Sequence, residues 1–301
     1  MFKKLRNKIE NRRRKAKKSS KNKFWKSLPF EDFAWKSLIF INDTVCSLYY
    51  RITSYKYKGN KFPDIVIIGA QKSATSALQN NLNRHPDIRM VESKYGNRTE
   101  VHFFNLNYRK GKLWYKSHFK KDDKLWGEKT PNYIFKTEHH KRMYKTIPNA
   151  KLILCLRNPV TRAYSQWNMS VARFHKTGQS YSPFYKYTFE KTTEKFEAVI
   201  EKGFYINQIE SLFRFYPREQ LHILIFERLK KNMQEEYDKI WKFLGVKKYY
   251  SSSFENKYNT RKYSKPMKKE TEKKLYKLYK PYNKRLFDLL GYEIKEWEFK
   301  E

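Results

Sequence analysis

The chain has 301 residues, of which 39% are hydrophobic and 32% charged, and its formal net charge at pH 7 is +37. This length can bury one full core in a domain of about 240 residues. The two cysteines, Cys46 and Cys155, are too few for a disulfide framework and suit reduced thiols in the cytoplasm. So high a charge would attract nucleic acid, anionic lipid or an acidic substrate, although a compositional bias toward Lys, Asn, Tyr, Phe and Ile explains it equally well.

The N-terminal region divides into two parts. Residues 1–23 hold twelve Lys/Arg and one Glu, which predicts a disordered basic tail. Residues 24–60 are an aromatic-rich lead-in, which either packs on its own domain or lies on a membrane surface. The apolar stretch at 38–50 is too short to span a bilayer, and no apolar core follows the basic start, so no signal peptide is expected. Residues 61–301 are predicted to form the folded domain.

The stretch at 64–78 is the most informative in the chain. The β-branched residues 65–68 predict a buried parallel strand, which Gly69 ends, and a helix is expected from Ser73. A lysine and three hydroxyl residues follow the glycine: Lys72, Ser73, Thr75 and Ser76. Because the N–H groups and the dipole at a helix start favour anions, this pattern predicts a phosphate- or sulfate-binding loop.

The spacing of this loop disfavours a nucleotide kinase of the P-loop type. That loop has four residues between two glycines, followed by Lys and Ser or Thr. Here Gly69 and Lys72 are three positions apart, and no second glycine precedes the lysine.

Further along the chain, helices and strands alternate. After the first helix a loop is expected from His85 to Glu100, and then a short strand or turn at 101–104. The later predictions are a helix at 136–146, a strand at 151–156, helices at 159–173 and 203–215, a strand at 221–226, and helices at 232–244 and 268–290. This alternation predicts an α/β fold with a mostly parallel sheet, whose ligands bind beyond the carboxyl ends of the strands.

The second strand ends in another anion-binding pattern. Arg157 follows it directly, and Ser165 comes eight residues later, two turns into the next helix. A guanidinium can hold a phosphate with two parallel hydrogen bonds, and the serine can add a third donor. Since Gly69 and Arg157 both end strands of one parallel sheet, both are expected at one site.

Six segments together resemble the sulfotransferases that use 3′-phosphoadenosine 5′-phosphosulfate (PAPS), and within them the heparan sulfate (glycosaminoglycan) type. They are IIGAQKSATSAL (67–78), EVHFF (100–104), GEKTPNY (127–133), LILCLRNPVTRAYS (152–165), FERL (226–229) and LYKLYKPYNKRLFDLLG (275–291). Their order is that of the family. The resemblance implies a P-loop-like, three-layer α/β fold with a central, mostly parallel sheet flanked by helices.

The resemblance also implies nucleotide-binding roles. Lys72 would contact the 5′-phosphosulfate and the bridging oxygen of the leaving group, and four neighbours would line that phosphate: Ser73, Ala74, Thr75 and Ser76. Arg157 and Ser165 would hold the 3′-phosphate. Arg261, Lys262 and Tyr263 stand where the family has a loop over the nucleotide, although this chain lacks that loop's Gly-Phe pair and cysteines.

For the chemistry, the resemblance implies Glu100 as the general base, with Lys129 near the transferred group. His102 is the alternative base, because it would share the face of Glu100 if this segment were a strand. No dense carboxylate or His/Cys cluster is apparent, so no metal is expected.

The expected acceptor is a hydroxyl, or less favourably an amine, of a carbohydrate, such as an anionic oligosaccharide or a glycolipid. Aromatic residues could stack on its sugar rings, and the basic surface suits an anionic chain. A polyanion- or nucleic-acid-binding protein and a nucleotide kinase stay as alternatives, with nucleic acid the less favoured partner.

Overall fold

The computed structural model describes residues 60–91, 100–178, 183–255, 263 and 266–299. Several sequence predictions lie outside the described residues: the basic tail at 1–23, the lead-in up to 59, the stretch at 38–50, Cys46, Arg261 and Lys262. Within the described residues, no helix has the length and hydropathy needed to cross a membrane.

The centre of the described chain is one sheet whose five strands all run parallel, in the order β2-β3-β1-β4-β5. The strands are β1 (Ile65–Gly69), β2 (Ile88–Met90), β3 (Leu125–Lys129), β4 (Lys151–Leu156) and β5 (Leu221–Ile225). The α/β fold and the strands at β1, β4 and β5 are confirmed. The sequence analysis missed β2, which lies inside the predicted loop from His85 to Glu100, and β3.

The α-helices of the described ranges connect and cover the strands. They are α1 (Thr75–Leu82), α2 (Gly111–Lys116), α3 (Thr137–Thr146), α4 (Pro159–Thr177), α5 (Phe189–Lys195), α6 (Glu197–Glu201), α7 (Tyr205–Phe213), α8 (Phe226–Lys231), α9 (Met233–Leu244) and α10 (Lys269–Leu290). The predicted helices correspond to α1, α3, α4, α7, α9 and α10, with ends that differ by up to four residues. The short helices α2, α5, α6 and α8 were not predicted.

Helices cover both faces of the sheet, which gives three layers. Residues of β1 are buried and alternate between two cores, as the side chains of a strand must. Ile65 and Ile67 pack with apolar residues of α1 and α9, whereas Val66 and Ile68 pack with those of α3, α7 and α10. Because β1 is central and covered on both faces, its uninterrupted apolar run was a reliable signal.

Candidate active site

Three neighbouring strands of the sheet end close together. β1 ends at Gly69, β3 ends at Lys129 on one side of it, and Arg157 follows the end of β4 on the other side. Because the strands are parallel, these ends share one edge of the sheet. The structure therefore confirms that the regions of Gly69 and Arg157 converge, and it adds Lys129 through a strand that the sequence pattern did not predict.

The loop after β1 has the backbone form of an anion-binding turn. Lys72 and Ala74 have φ values of 76° and 58°, which are uncommon for residues with a side chain. Left-handed residues within such a turn are typical of nests, in which successive N–H groups face one concavity. The left-handed Ala74 also delays the start of α1 to Thr75, two residues later than the predicted start at Ser73.

Side chains of this loop fit an anion as well. The Ser73 hydroxyl is buried and makes no hydrogen bond within the described residues. An orphaned buried hydroxyl is costly unless a ligand satisfies it, so this group fits an incoming phosphate or sulfate oxygen. Lys72 extends along α4, where its Nζ lies 3.4 Å from the sulfur of Met169. Gly69 permits a close approach, because a Cβ there would lie 2.6 Å from the Ile134 side chain.

Arg157 is joined directly to this loop. Its guanidinium donates to the carbonyl of Lys72 at 3.1 Å and to the hydroxyl of Thr161 at 3.0 Å. It also lies over the ring of Phe226, 4.8 Å from the centroid. In the described part of the chain, no carboxylate forms an ion pair with it, so its charge is available to an anion.

Ser165 and Tyr263 lie on or beside helix α4. Asn158 begins this helix, because its side chain accepts from the N–H groups of Val160 and Thr161. Ser165 is buried on α4 and lies one turn beyond Thr161, on the same face. The ring of Tyr263 meets Tyr164 edge-on at 5.4 Å, so this residue reaches the helix that carries Ser165.

Glu100, His102 and Lys129 form a compact cluster at the end of β3. Lys129 is 2% exposed, and its Nζ lies 3.2 Å from both Glu100 Oε1 and Ser76 Oγ. The other oxygen of Glu100 lies 3.1 Å from His102 Nε2. Lys129 thus joins the carboxylate to helix α1, which begins at the anion loop. Ser76, expected to line the phosphate, is the residue of α1 that makes this link.

This cluster keeps Glu100 ionised. Burial alone would raise the pKa of this carboxyl, but the hydrogen bond from His102 and the charge of Lys129 outweigh burial and lower the pKa below its usual value. The carboxyl is therefore deprotonated at neutral pH, as a general base must be before it acts.

The segment that carries His102 is not a strand. His102 has a φ of 54°, and a single π-helical turn follows it at Phe103–Asn107. Its ring also contacts the Asn105 amide, at 3.2 Å from Nδ1. Of the two forms considered for 101–104, the turn is correct, and it brings His102 to Glu100 by a route other than a shared strand face.

Two further groups at this edge were missed by the sequence analysis. The fully buried Glu128 precedes Lys129, and Lys202 donates to Gln71 Oε1 at 3.1 Å, next to Lys72. Burial, together with the charges of Arg162 and Lys136, lowers the pKa of Lys202 to about 8. Glu128 lies in the quoted GEKTPNY segment, which was the available signal, whereas no local pattern marked Lys202.

The described residues contain no group of three or more His, Cys, Asp or Glu placed to hold a metal ion.

Comparisons with known proteins identify the family. A family model described as sulfotransferase domain matches residues 62–285. The human heparan sulfate glucosamine 3-O-sulfotransferases 6 and 3B1 are 30% and 31% identical over 190 and 194 residues, which cover 62% of this chain and 54% and 47% of theirs. The chain therefore spans about half the length of the curated relatives it matches.

A solved structure shares the fold. The sulfotransferase from Alicyclobacillus acidocaldarius aligns over 79% of this chain and 99% of its own, with a TM-score of 0.61 and 23% identity. Because the family model matches most of the chain, this protein belongs to the sulfotransferase domain family.

Proposed function

We propose that this protein transfers the sulfuryl group of PAPS to a hydroxyl group of an acidic carbohydrate. The observation that carries the proposal is the double contact of Lys129, which joins the ionised Glu100 to Ser76 at the start of α1. A proton acceptor and an anion loop in direct connection are what in-line transfer to a hydroxyl requires. Membership of the sulfotransferase family supports the same reaction.

The nucleotide binds at the carboxyl ends of β1 and β4. The loop amides, Ser73 and Lys72 bind the 5′-phosphosulfate, and Lys72 neutralises the charge that develops on the leaving phosphate. Arg157 binds the 3′-phosphate together with Ser165, which lies on the same face of α4 as Thr161. The support for this assignment is the hydrogen bond from Arg157 to the Lys72 carbonyl, which keeps the two anion sites in one unit.

The acceptor is activated at the carboxyl end of β3. Glu100 removes the proton of the attacking hydroxyl, and Lys129 fixes the carboxylate and faces the transferred group. His102 orients Glu100 through its 3.1 Å contact and is the alternative base. General base catalysis of this kind contributes about 10²–10⁴-fold to a rate.

An acidic acceptor is favoured by Lys202. This lysine is half-buried, and no carboxylate among the described residues pairs with it. A half-buried cation without a carboxylate partner gains from a bound anion, such as a carboxylate or sulfate of a sugar chain. The names of the curated relatives, which act on heparan sulfate glucosamine, point to the same acceptor class.

The nucleotide assignment is tested by thermal stabilisation with adenosine 3′,5′-bisphosphate, AMP and ATP. A ligand that binds only the native state raises the midpoint of unfolding by mass action. We expect the bisphosphate to stabilise the protein most strongly, and Arg157→Ala to abolish this preference over AMP. Arg218→Ala is the matched control, because this exposed arginine lies before the start of β5, at the opposite edge of the sheet.

Two results would contradict the proposal. Equal stabilisation by the bisphosphate and AMP would remove the 3′-phosphate site, and a preference for ATP would favour a nucleotide kinase. Transfer from PAPS is measured separately, with labelled donor and a set of heparan sulfate oligosaccharides.

A further inference from the structure

Glu128 is a fully buried carboxyl group surrounded by hydroxyls. Three of them donate to it: Tyr115 to Oε1 at 2.6 Å, Thr130 to Oε2 at 2.9 Å and Tyr133 to Oε1 at 3.1 Å. Burial raises the pKa of Glu128 to about 7, against the opposing effect of these hydrogen bonds. Within the described residues no lysine or arginine forms an ion pair with it. A buried acid without a cation is rare, because its desolvation is costly.

Two of these three hydroxyls also bind backbone amides. Thr130 Oγ accepts from the N–H of His102 at 3.2 Å, and the Tyr133 hydroxyl accepts from the N–H of Phe103 at 2.7 Å. Each hydroxyl has one proton. When Glu128 is a carboxylate, that proton is donated to it and the oxygen lone pairs face the amides, so the hydrogen bonds run from each amide to a hydroxyl and from that hydroxyl to Glu128.

These amides begin the turn that sets the position of the proposed base. His102 is the residue with the left-handed backbone, and such a conformation persists only when its surroundings hold it. Its ring contacts Glu100. The hydroxyls therefore hold the backbone on which the Glu100–His102 contact depends.

Glu128 and Lys129 act on this turn from two sides. They are consecutive in β3, so their side chains point to opposite faces of the sheet. Lys129 contacts the carboxylate of Glu100 directly, whereas Glu128 reaches the backbone of His102 and Phe103 through hydroxyls.

We propose that Glu128 is a positioning residue for sulfuryl transfer, which as a carboxylate aligns the hydroxyls of Thr130 and Tyr133 so that they hold the His102 turn and the Glu100 base in their working geometry. This inference rests on the proposed function. It assigns Glu128 no contact with substrate and no proton transfer in the reaction.

The two tyrosines provide a matched test. Tyr133→Phe and Tyr115→Phe each remove one hydroxyl from Glu128 and retain the ring, but only the Tyr133 hydroxyl is bonded to the turn. The ring of Tyr115, which stacks on Phe103 at 4.3 Å, is preserved in its variant. We expect Tyr133→Phe to lower kcat about tenfold or more, since small misplacements of a catalytic group are costly, and Tyr115→Phe to lower it clearly less. Stabilisation by adenosine 3′,5′-bisphosphate should be unchanged in both.

Glu128→Gln tests the acid itself. The amide presents one acceptor oxygen and one donor group in place of the two carboxylate oxygens. It therefore cannot accept from the hydroxyls of both Thr130 and Tyr133 in the present geometry. We expect a loss of kcat as large as that of Tyr133→Phe, with the bisphosphate response retained. If Glu128→Gln does not fold, the comparison of the two tyrosine variants decides. Equal losses in Tyr133→Phe and Tyr115→Phe, or no loss in either, would overturn the inference.

The proposed function and this inference fail in different ways. If the wild-type protein transfers no sulfate, the proposed function fails. The geometry of the turn is then monitored by nuclear magnetic resonance, through the signals of the carbon-bound imidazole protons of His102. These signals should move in Tyr133→Phe and stay in place in Tyr115→Phe. Signals that stay in place in both variants would overturn the positioning role as well.

Discussion

The strands on either side of β1 end in opposite kinds of chemistry. At the end of β4, the described residues give Arg157 only neutral hydrogen-bond partners, the Lys72 carbonyl and the Thr161 hydroxyl. At the end of β3, Glu100 forms an ion pair with Lys129, and Glu128 accepts hydrogen bonds from three hydroxyls. The β4 end is therefore suited to receive an anion, and the β3 end is suited to control a proton.

The β3 end also contains a contrast of its own, between two carboxyl groups. Burial raises the pKa of Glu128 to about 7, whereas at Glu100 the contacts with His102 and Lys129 outweigh burial and lower the pKa. Neighbouring acids whose environments push their pKa values apart serve different tasks. Here one accepts a proton in the proposed reaction, and the other holds structure.

The largest expected effect is that of Glu100→Gln on the rate. The amide cannot remove a proton from the acceptor, so kcat should fall by about 10²–10⁴-fold. Stabilisation by adenosine 3′,5′-bisphosphate should remain, because the β4 end is unchanged. Glu138→Gln, which changes an exposed glutamate paired with Arg142 on α3, is the control. Turnover that survives Glu100→Gln would transfer the role of base to His102.

The pH dependence of stability should separate the two carboxyls. Because the pKa of Glu128 is raised, the folded protein keeps a proton between about pH 4.5 and 7 that the unfolded chain releases. The contribution of Glu128 to the free energy of unfolding therefore falls as the pH rises through this window. At about 1.4 kcal/mol per pKa unit, the loss is on the order of 3 kcal/mol. For Glu100, whose pKa is lowered, stability is instead lost as the pH falls below about 4.5.

The measurement is the difference in the free energy of unfolding between the wild type and Glu128→Gln at each pH. Subtraction is needed because burial also lowers the pKa values of His140 and His222 to about 4, and these histidines make stability rise with pH in the same window. A difference that does not change between pH 4.5 and 7 would contradict the raised pKa of Glu128.

The sequence predicted the β4 end far better than the β3 end. β1 and β4 are continuous apolar runs, so their ends could be located, and Lys72 and Arg157 follow directly from those ends. β3 ends in Gly-Glu-Lys, which has no strand pattern. Glu128 and Lys129 have partners at Tyr115, Glu100 and Ser76, which are 13, 29 and 53 residues away in the chain. Such long-range pairing cannot be read from local periodicity.

His102 and Lys202 show the same limit. The left-handed form of His102 depends on hydroxyls 28 to 31 residues away, and Lys202 reaches Gln71 across 131 residues of chain. The resemblance nevertheless supplied Glu100 and Lys129 as candidates, the position of His102 two residues after Glu100 supplied the third, and the structure brings these three together. It could not supply the connection of Lys129 to Ser76, which depends on how β3 and α1 pack.

An intermediate effect is expected from Lys202→Met on acceptor binding. Loss of a charged hydrogen bond should raise the KM for an acidic oligosaccharide about tenfold and leave the KM for a neutral acceptor unchanged. In the wild type the same KM should rise above about pH 8, as the ammonium group loses its proton. Lys195→Met on α5 is the control, because this lysine is exposed. Equal effects on acidic and neutral acceptors would contradict an anion subsite.

The smallest expected effect is that of Thr161→Val, which tests the β4 end alone. The variant removes the acceptor of the Arg157 Nε hydrogen bond but keeps the bond to the Lys72 carbonyl, so affinity for adenosine 3′,5′-bisphosphate should fall about threefold. Affinity for AMP and kcat should not change. Thr177→Val, which removes the same kind of hydroxyl from the far end of α4, should have no effect. A loss of kcat without a loss of affinity would mean that the β4 end takes part in the chemistry. It would contradict the assignment of anion binding to the β4 end and of proton removal to the β3 end.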